Sequence, residues 1–544
     1  MTPRRAPLAL RPALLAGRRI PRAVRRAPLG AALLGALIPA AAALSSCGAT
    51  TTATSATGSS SGSHVLTIPY LADMSVPDPD IFYDIEGNSV ILSAYEGLVT
   101  YAPNSDRIIP ALATSWSESP DRLTYTFHLR PNVHFHDGSP FTSHSVVASF
   151  ERRLNVNQAP AYMVKPIASM STPNPLTLVV KLKEPVYPFL DYMASSWGPK
   201  MIGPEAIVTH AGKDFGQTWL QTHDDGTGPY ELSEFARGRQ YVLKSFPGYW
   251  GAKPYFEKVL IKITPDIATQ QLELENGGVD AIMHSFPAAD LASLPSSLKV
   301  LKYPSYLRLL LYVNTKKPPF NDPAVRATLR AAIDPAKLVA EAYSGTGTPS
   351  TGPFPKELLS NQPTLPYAPN PAVAAEGAHK ASTKSIVLAY TADESGVQRR
   401  VGEILQATLE AAGWKVSVKE VQLPQVYAYI NNLSAAPDLL LQTNTPDAAN
   451  ADTWSRILFF KEGGLNFLGF NDPQVNALLE RSRSAPPAQA EKIEREVGQQ
   501  VVNQNEIFFL GDIDNVFVLN KSLEGVEQVP AYPWTVNYAS LRRG

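Results

Sequence analysis

The chain has nine histidines, and four of them fall in one stretch, "FHLRPNVHFHDGSPFTSH", Phe127 to His144. His128, His134, His136 and His144, with Asp137 beside the third, are the residue types that make a zinc or nickel site. The competing reading is a strand pair with histidines on its polar face. Leu123, Tyr125, Phe127 and Leu129 alternate with Thr124, Thr126, His128 and Arg130, the period of a half-buried strand. Pro131-Asn132 signals a turn, and Val133 and Phe135 resume the apolar face. His134 and His136 then point away from the buried set, and His128 and His134 could meet across the hairpin around a metal. Other reactive patterns are scarce. There is no G-x-S-x-G and no H-E-x-x-H, and the Gly-rich "SGTGTPSTGP" lacks the Lys-Ser/Thr of a phosphate loop. An exported enzyme would therefore rest on carboxylates brought together only in space. A net charge of −1 leaves no electrostatic footprint for nucleic acid.

Cys47 is the single cysteine, so it has no partner for an intramolecular disulfide. Its setting points elsewhere. Arg4, Arg5, Arg11, Arg18, Arg19, Arg22, Arg25 and Arg26 precede the uncharged run Ala27 to Ser46, the plan of an export signal over 1–46. The run ends in "LSSC", Leu44 to Cys47, which resembles a bacterial lipobox. That resemblance implies cleavage before Cys47 and a lipid on its thiol and new amino group. The rival is an uncleaved anchor, since a run of ~20 residues can span a bilayer. Residues 47–63 have no large apolar side chain and no charge after Cys47, the composition of a flexible tether.

The elements that would position a site begin near His64. Val65 to Tyr70 reads as a strand, and Thr142 caps a helix through "SHSVVASFERRL". Asp322-Pro323 opens "AVRATLRAAI" with proline at a tolerated first-turn position. Arg399 to Trp414 is amphipathic and stops at Gly413. Asp472-Pro473 opens "QVNALLERS", and "AEKIEREVGQQVVNQN" is another amphipathic helix. Short apolar strands lie between: "VLIKI", "SIVLAY", "KVSVKEV", "PDLLLQT" and "IFFLGDIDNVFVL". "SIVLAY", the helix after it and "KVSVKEV" form a β-α-β unit, so the class is α/β. Single cores stop growing near ~250–300 residues, so a chain of 544 is expected to form two lobes or more.

Several segments in order resemble the extracytoplasmic solute-binding proteins of peptide-type ABC importers, solute-binding family 5. They are "AYEGLVTYAPNSDRIIPALATSW" (Ala94–Trp116), "TYTFHLR" followed by "FHDGSPFT", "GTGPYEL" (Gly226–Leu232) and "GYWGAKPYFEKV" (Gly248–Val259). "LENGGVDAI" (Leu274–Ile282), "LYVNTKKPPFNDPAVRATLRAAID" (Leu311–Asp334) and "GFNDPQVNALLERS" (Gly469–Ser482) follow. The resemblance implies a two-lobed, periplasmic-binding-protein-like clamshell of type II, with an extra subdomain in lobe one. Lobe one would comprise 64–304 and a return over 506–544, and lobe two 305–505, with hinges near 304 and 506. As part of the family's signature, "FHDG" would have His136 and Asp137 serve the turn into the helix capped by Thr142.

The resemblance also implies a ligand held between the lobes and a monomer that hands it to permease subunits. Peptides come first; nickel complexes, oligosaccharides, opines or a sensory role are the alternatives, and no cofactor is expected. Peptide binders of the family fix the ligand's α-amino group with an aspartate in D-x-x-[DE]-P. Here that segment is "QTNTPDAANADTW", where Asp447 takes the second acidic position and neutral Asn444 the first. Further expected contacts are Met74 in the loop "LADMSVPDPD", Trp197 in "SSWGPK", Phe286, Tyr306 and Trp454.

Overall fold

The computed structural model describes residues 64–544 except residue 394. The export segment 1–46, Cys47 and the tether to Ser63 lie outside the described residues.

Strand β1 (Val65–Tyr70) leads through a loop to helix α1 (Asn88–Ala94). Strands β2 (Ala113–Glu118) and β3 (Thr124–Leu129) pair antiparallel and are followed by helix α2 (Ser143–Val156). With β4 (Ile167–Asn174) and β5 (Thr177–Leu182) they make a four-stranded sheet in the order β2-β3-β5-β4, the extra subdomain of the first lobe. Helix α3 (Phe189–Ala194) follows, then β6 (Tyr230–Ala236), β7 (Gln240–Ser245) and β8 (Lys258–Ile263). These close a second sheet, β1-β8-β7-β6, in which β1 runs parallel to β8.

The histidine stretch departs from the hairpin expected of it. Tyr125, Phe127, Leu129, Val133 and Phe135 are all buried, as the alternation requires. β3, however, is paired on both edges, by β2 and by β5, and has no edge left for residues 133–136. Those residues make a turn with a single bridge between His134 and Pro140. His128 and His134 therefore do not face each other across a ladder.

The rest of the chain alternates helices and strands. Helix α4 (Ile267–Glu275) and strand β9 (Ala281–Ile282) precede the long strand β10 (Leu298–Val313). Then come α5 (Pro323–Ala332), α6 (Pro335–Tyr343), β11 (Gly347–Pro349), α7 (Pro371–Lys380), β12 (Ser385–Thr391) and α8 (Val397–Ala411). β13 (Lys415–Val421), α9 (Leu423–Tyr429), β14 (Leu439–Asn444), α10 (Ala451–Phe459), α11 (Pro473–Ser484), α12 (Pro487–Gln504) and β15 (Ile507–Asn520) complete the order. α5, α6, α7 and α11 start alike: Asp322, Asp334, Asn370 or Asp472 accepts a backbone N–H, and proline follows. The side-chain oxygen satisfies an orphan donor where proline has none to lose.

The central sheet runs β9-β15-β10-β14-β12-β13, with β11 added on β15. β12 and β13 are parallel through α8, the expected β-α-β unit. From Ser305 to Val313, β10 is buried on both faces. Leu307, Leu309 and Leu311 pack with Leu388, Leu405 and Leu439; Leu310 and Tyr312 pack with Leu440, Trp454 and Phe509. A strand with two buried faces reads as a continuous apolar run, as "LRLLLYV" does.

β10 and β15 pair along most of their length and join the two cores. Their ladder is interrupted between Tyr303 and Leu307, opposite Ile513 to Asn515. On β15, Phe508, Leu510 and Ile513 belong to the second core, whereas Phe517 and Leu519 belong to the first. The returning strand thus leaves the second core near Asp514, later than the 506 expected from the resemblance.

Candidate functional site: a cavity between two cores

A cavity of about 410 Å3 opens where the two cores face each other. From the first side come Asp73, Asp84, Glu86, His284, Phe286 and Trp534. The second side supplies Thr391, Asp393, Gln398, Gln422, Asn444 and Thr445, and β15 contributes Asp514 at the back. Each side chain has a local reason for its place. The Asp393 carboxylate accepts the backbone N–H groups of Val397 (3.1 Å) and Gln398 (3.1 Å), so it stands at the N-terminus of α8. Asn444 ends β14 and donates its amide to the Tyr312 hydroxyl at 2.8 Å. His284 Nδ1 lies 2.8 Å from Glu86 Oε2, and its ring packs on Trp534 with centroids 4.4 Å apart. Burial raises the carboxyl pKa values of Asp84, Asp393 and Asp514 above the ordinary aspartate value.

A second contact bridges the cores through Asp447. Its Oδ2 accepts the hydroxyls of Tyr83 and Tyr162, each at 2.5 Å, and its backbone carbonyl accepts Ser195 Oγ at 2.5 Å. Nearby, Asn450 donates to Asp191 Oδ2 at 2.9 Å, and the Ala449 N–H donates to the Tyr101 hydroxyl at 3.0 Å. Burial pushes the Asp191 carboxyl up to about 7, against the lowering effect of the hydrogen bonds from Tyr101 and Asn450.

Residues 107–466 match the family model "bacterial extracellular solute-binding proteins, family 5 Middle". The chain belongs to this family. It is 33% identical over 300 residues to the probable D,D-dipeptide-binding periplasmic protein DdpA of Escherichia coli K12, covering 54% of this chain and 58% of that one. The chain therefore spans less than two thirds of that relative's length. The fold is that of the periplasmic binding protein DppA from Helicobacter pylori, solved with the peptide STSA. The TM-score is 0.76 at 22% identity, over 88% of this chain and 98% of that chain. NikZ from Campylobacter jejuni, solved with Ni(L-His), gives 0.78 at 20% identity over 88% and 99%. The two-lobed clamshell is shared with both.

Within that family fold the expected contacts separate. Phe286 and Asn444 line the cavity. Trp197 and Asp447 meet instead at the tyrosine contact, where Trp197 packs edge-on against Tyr83 at 5.6 Å and donates its indole N–H to the Asp84 carbonyl at 2.8 Å. Met74 is fully buried, and its N–H donates to the Tyr241 hydroxyl at 3.1 Å. A Cβ on Gly87 would stand 2.4 Å from Met74 Cβ, so glycine at 87 makes room for this side chain. The residues of that loop that reach the cavity are Ala72 and Asp73. Tyr306 is buried in the first core, its N–H bonded to the Pro530 carbonyl at 3.0 Å. Trp454 is fully buried in the second core and donates to the Pro353 carbonyl at 2.9 Å. Met74, Tyr306 and Trp454 thus serve packing, because an apolar body with one satisfied polar atom is stable inside.

The carboxylates at the cavity escaped the sequence reading. "YDIEG" and "TADESG" have no spacing that marks Asp84, Glu86 or Asp393, and Asp514 lies inside an apolar strand. The histidines also resolve differently. Among the described residues no group of three or more His, Cys, Asp and Glu side chains could hold a metal. His128, His134 and His144 are exposed. His136 does not serve the turn into α2: its Nδ1 bonds Asp224 and its Nε2 faces the Gly228 carbonyl at 3.1 Å. Burial alone would lower its pKa, but Asp224 and the Gly228 carbonyl carry it above the ordinary histidine value.

Proposed function

We propose that the chain is an extracytoplasmic receptor, anchored by lipid at Cys47, that closes its lobes on a di- or oligopeptide and delivers it as a monomer to an ABC importer. The first lobe would span 64–304 and return after about Asp514, and the second would span the residues between, with the hinge at the interrupted ladder of β10 and β15. The observation that carries this reading is the 410 Å3 cavity lined from both sides, with Asp84 and Phe286 facing Asn444 and Gln398. A cleft of this size takes a small extended ligand, and apolar and polar groups converge on it. Closure follows if the ligand binds the closed form more tightly than the open one. Asn444 replaces a charged contact by a dipole, and the carboxylates of Asp84, Asp393 and Asp514 supply the anionic partner that a buried ammonium requires.

Native mass spectrometry of the purified full chain, followed by release of what co-purifies, tests this. A mixture of short peptides is the expected result. A single metal chelate or a sugar in their place would overturn it.

A further inference from the structure

We propose that the cleft selects for positive charge: its preferred ligand is a peptide carrying extra ammonium or guanidinium groups, with no fixed cation to receive a carboxylate. This rests on the peptide reading above and narrows it. Five carboxylates line the cavity, those of Asp73, Asp84, Glu86, Asp393 and Asp514, and His284 is the sole basic side chain among the described lining residues. Two cations act from outside: Lys302 and Lys356 bear on Asp514, and Lys302 donates to the Gly345 carbonyl at 2.9 Å.

An acidic group of this kind could belong to the fold alone, and four of its members do have internal partners: Asp84 accepts the Ile85 N–H at 2.7 Å, Glu86 pairs with His284 at 2.8 Å, and Asp73 and Asp393 are held as well. Asp73 accepts the Tyr241 hydroxyl at 2.5 Å, and Asp393 holds the start of α8. The second observation is independent of charge. Gln398 and Thr445 are each 8% exposed, line the same cavity, and keep Gln398 Oε1 and Thr445 Oγ1 without a hydrogen-bond partner among the described residues. Glu86 Oε1 is in the same condition. A buried polar atom left unpaired is costly, and native folds rarely keep several round one cavity without a ligand or ordered water that meets them. The Glu86 carboxylate and Gln398 amide oxygens accept only, and the Thr445 hydroxyl can accept as well as donate. They are satisfied by a ligand rich in N–H donors, which is what an ammonium or a guanidinium is. An anionic ligand would meet like charge, with no Lys or Arg among the described lining residues to offset it. Among the described residues no group of three or more His, Cys, Asp and Glu side chains could hold a metal ion, so the proposal is for an organic cation.

Titration calorimetry on the full chain separates the possibilities with four probes: lysyl-lysinamide, trialanine, glutamyl-glutamate and the non-peptide cation spermidine. Lysyl-lysinamide is expected to bind about tenfold or more tighter than trialanine, with glutamyl-glutamate weakest. Asp514→Asn and Glu86→Gln, each checked for an unchanged melting temperature, should each shrink that preference about threefold or more. Equal affinity for the three peptides would overturn the charge selection and leave the peptide reading standing. Binding of spermidine with no binding of any peptide would overturn the peptide reading and uphold the charge selection. Failure of all four probes to bind, or an undiminished preference in both variants, would overturn the inference.

Discussion

At the scale of single residues, the loop Leu71–Asp80 shows how charge is spent on architecture before it is spent on ligand. Asp78 and Asp80 are fully buried and face Arg152 and Arg153 of α2. Arg153 donates to Asp80 (2.7 Å), to the Pro79 carbonyl (2.8 Å) and to the Trp197 carbonyl (2.8 Å), so one guanidinium fixes the loop and the Trp197 turn together. Arg153→Met removes one of the two guanidinium partners of buried Asp80: Oδ1 loses its donor, while Oδ2 keeps Arg152 at 2.6 Å. Such changes cost roughly 3–5 kcal/mol. Urea unfolding should show a loss of that order, and a loss under about 1 kcal/mol would mean that Arg152 alone satisfies Asp80. The sequence "ERRL" marks these arginines only as a helix face, because their carboxylate partners lie more than seventy positions away.

At the scale of elements, most boundaries were written locally. Asp-Pro and Asn-Pro pairs start four helices, and Gly413, at φ 92°, ends the run after α8. α2 is more informative. A capping box takes Glu or Gln three places after its Thr, and here Ser145 stands there. Ser145 Oγ nevertheless accepts the Thr142 N–H at 3.2 Å, so a reciprocal cap forms with a neutral acceptor. Ser145→Asp keeps the acceptor and adds negative charge at the positive end of the helix. It should raise stability by up to ~1 kcal/mol. Thermal unfolding checks the sign, and a lowered melting temperature would contradict it. The hairpin at 127–136 was misread for an element-scale reason: alternation identifies a buried face but not which strand supplies the neighbour, and β5 took the edge of β3.

At the scale of the whole molecule, the lobes are tied by buried polar contacts that titrate. Asp191 on α3 accepts the Tyr101 hydroxyl at 3.0 Å and the Asn450 amide from the second side. Its carboxyl is raised by burial from 3.8 to about 7. The native state therefore keeps the proton to higher pH than the unfolded chain does. The stability this contributes is full below about 3.8 and is lost as pH rises to about 7. Asp191→Asn imitates the protonated form. Between about pH 4 and pH 8 its melting temperature should fall less than that of the unsubstituted chain. Parallel curves would show that Asp191 titrates normally. By itself the sequence determined the α/β class, helices α2, α5, α8, α11 and α12, strands β1, β3, β8 and β12 to β15, and the family, because periodicity, caps and ordered motifs act over short spans. Only the tertiary structure decided that Met74 and Trp454 are core, that Asp447 is held by two tyrosines, and that Asp84, Glu86, Asp393 and Asp514 share one cavity. Those facts depend on which distant segments meet, and the meeting is fixed by packing two cores about β10 and β15.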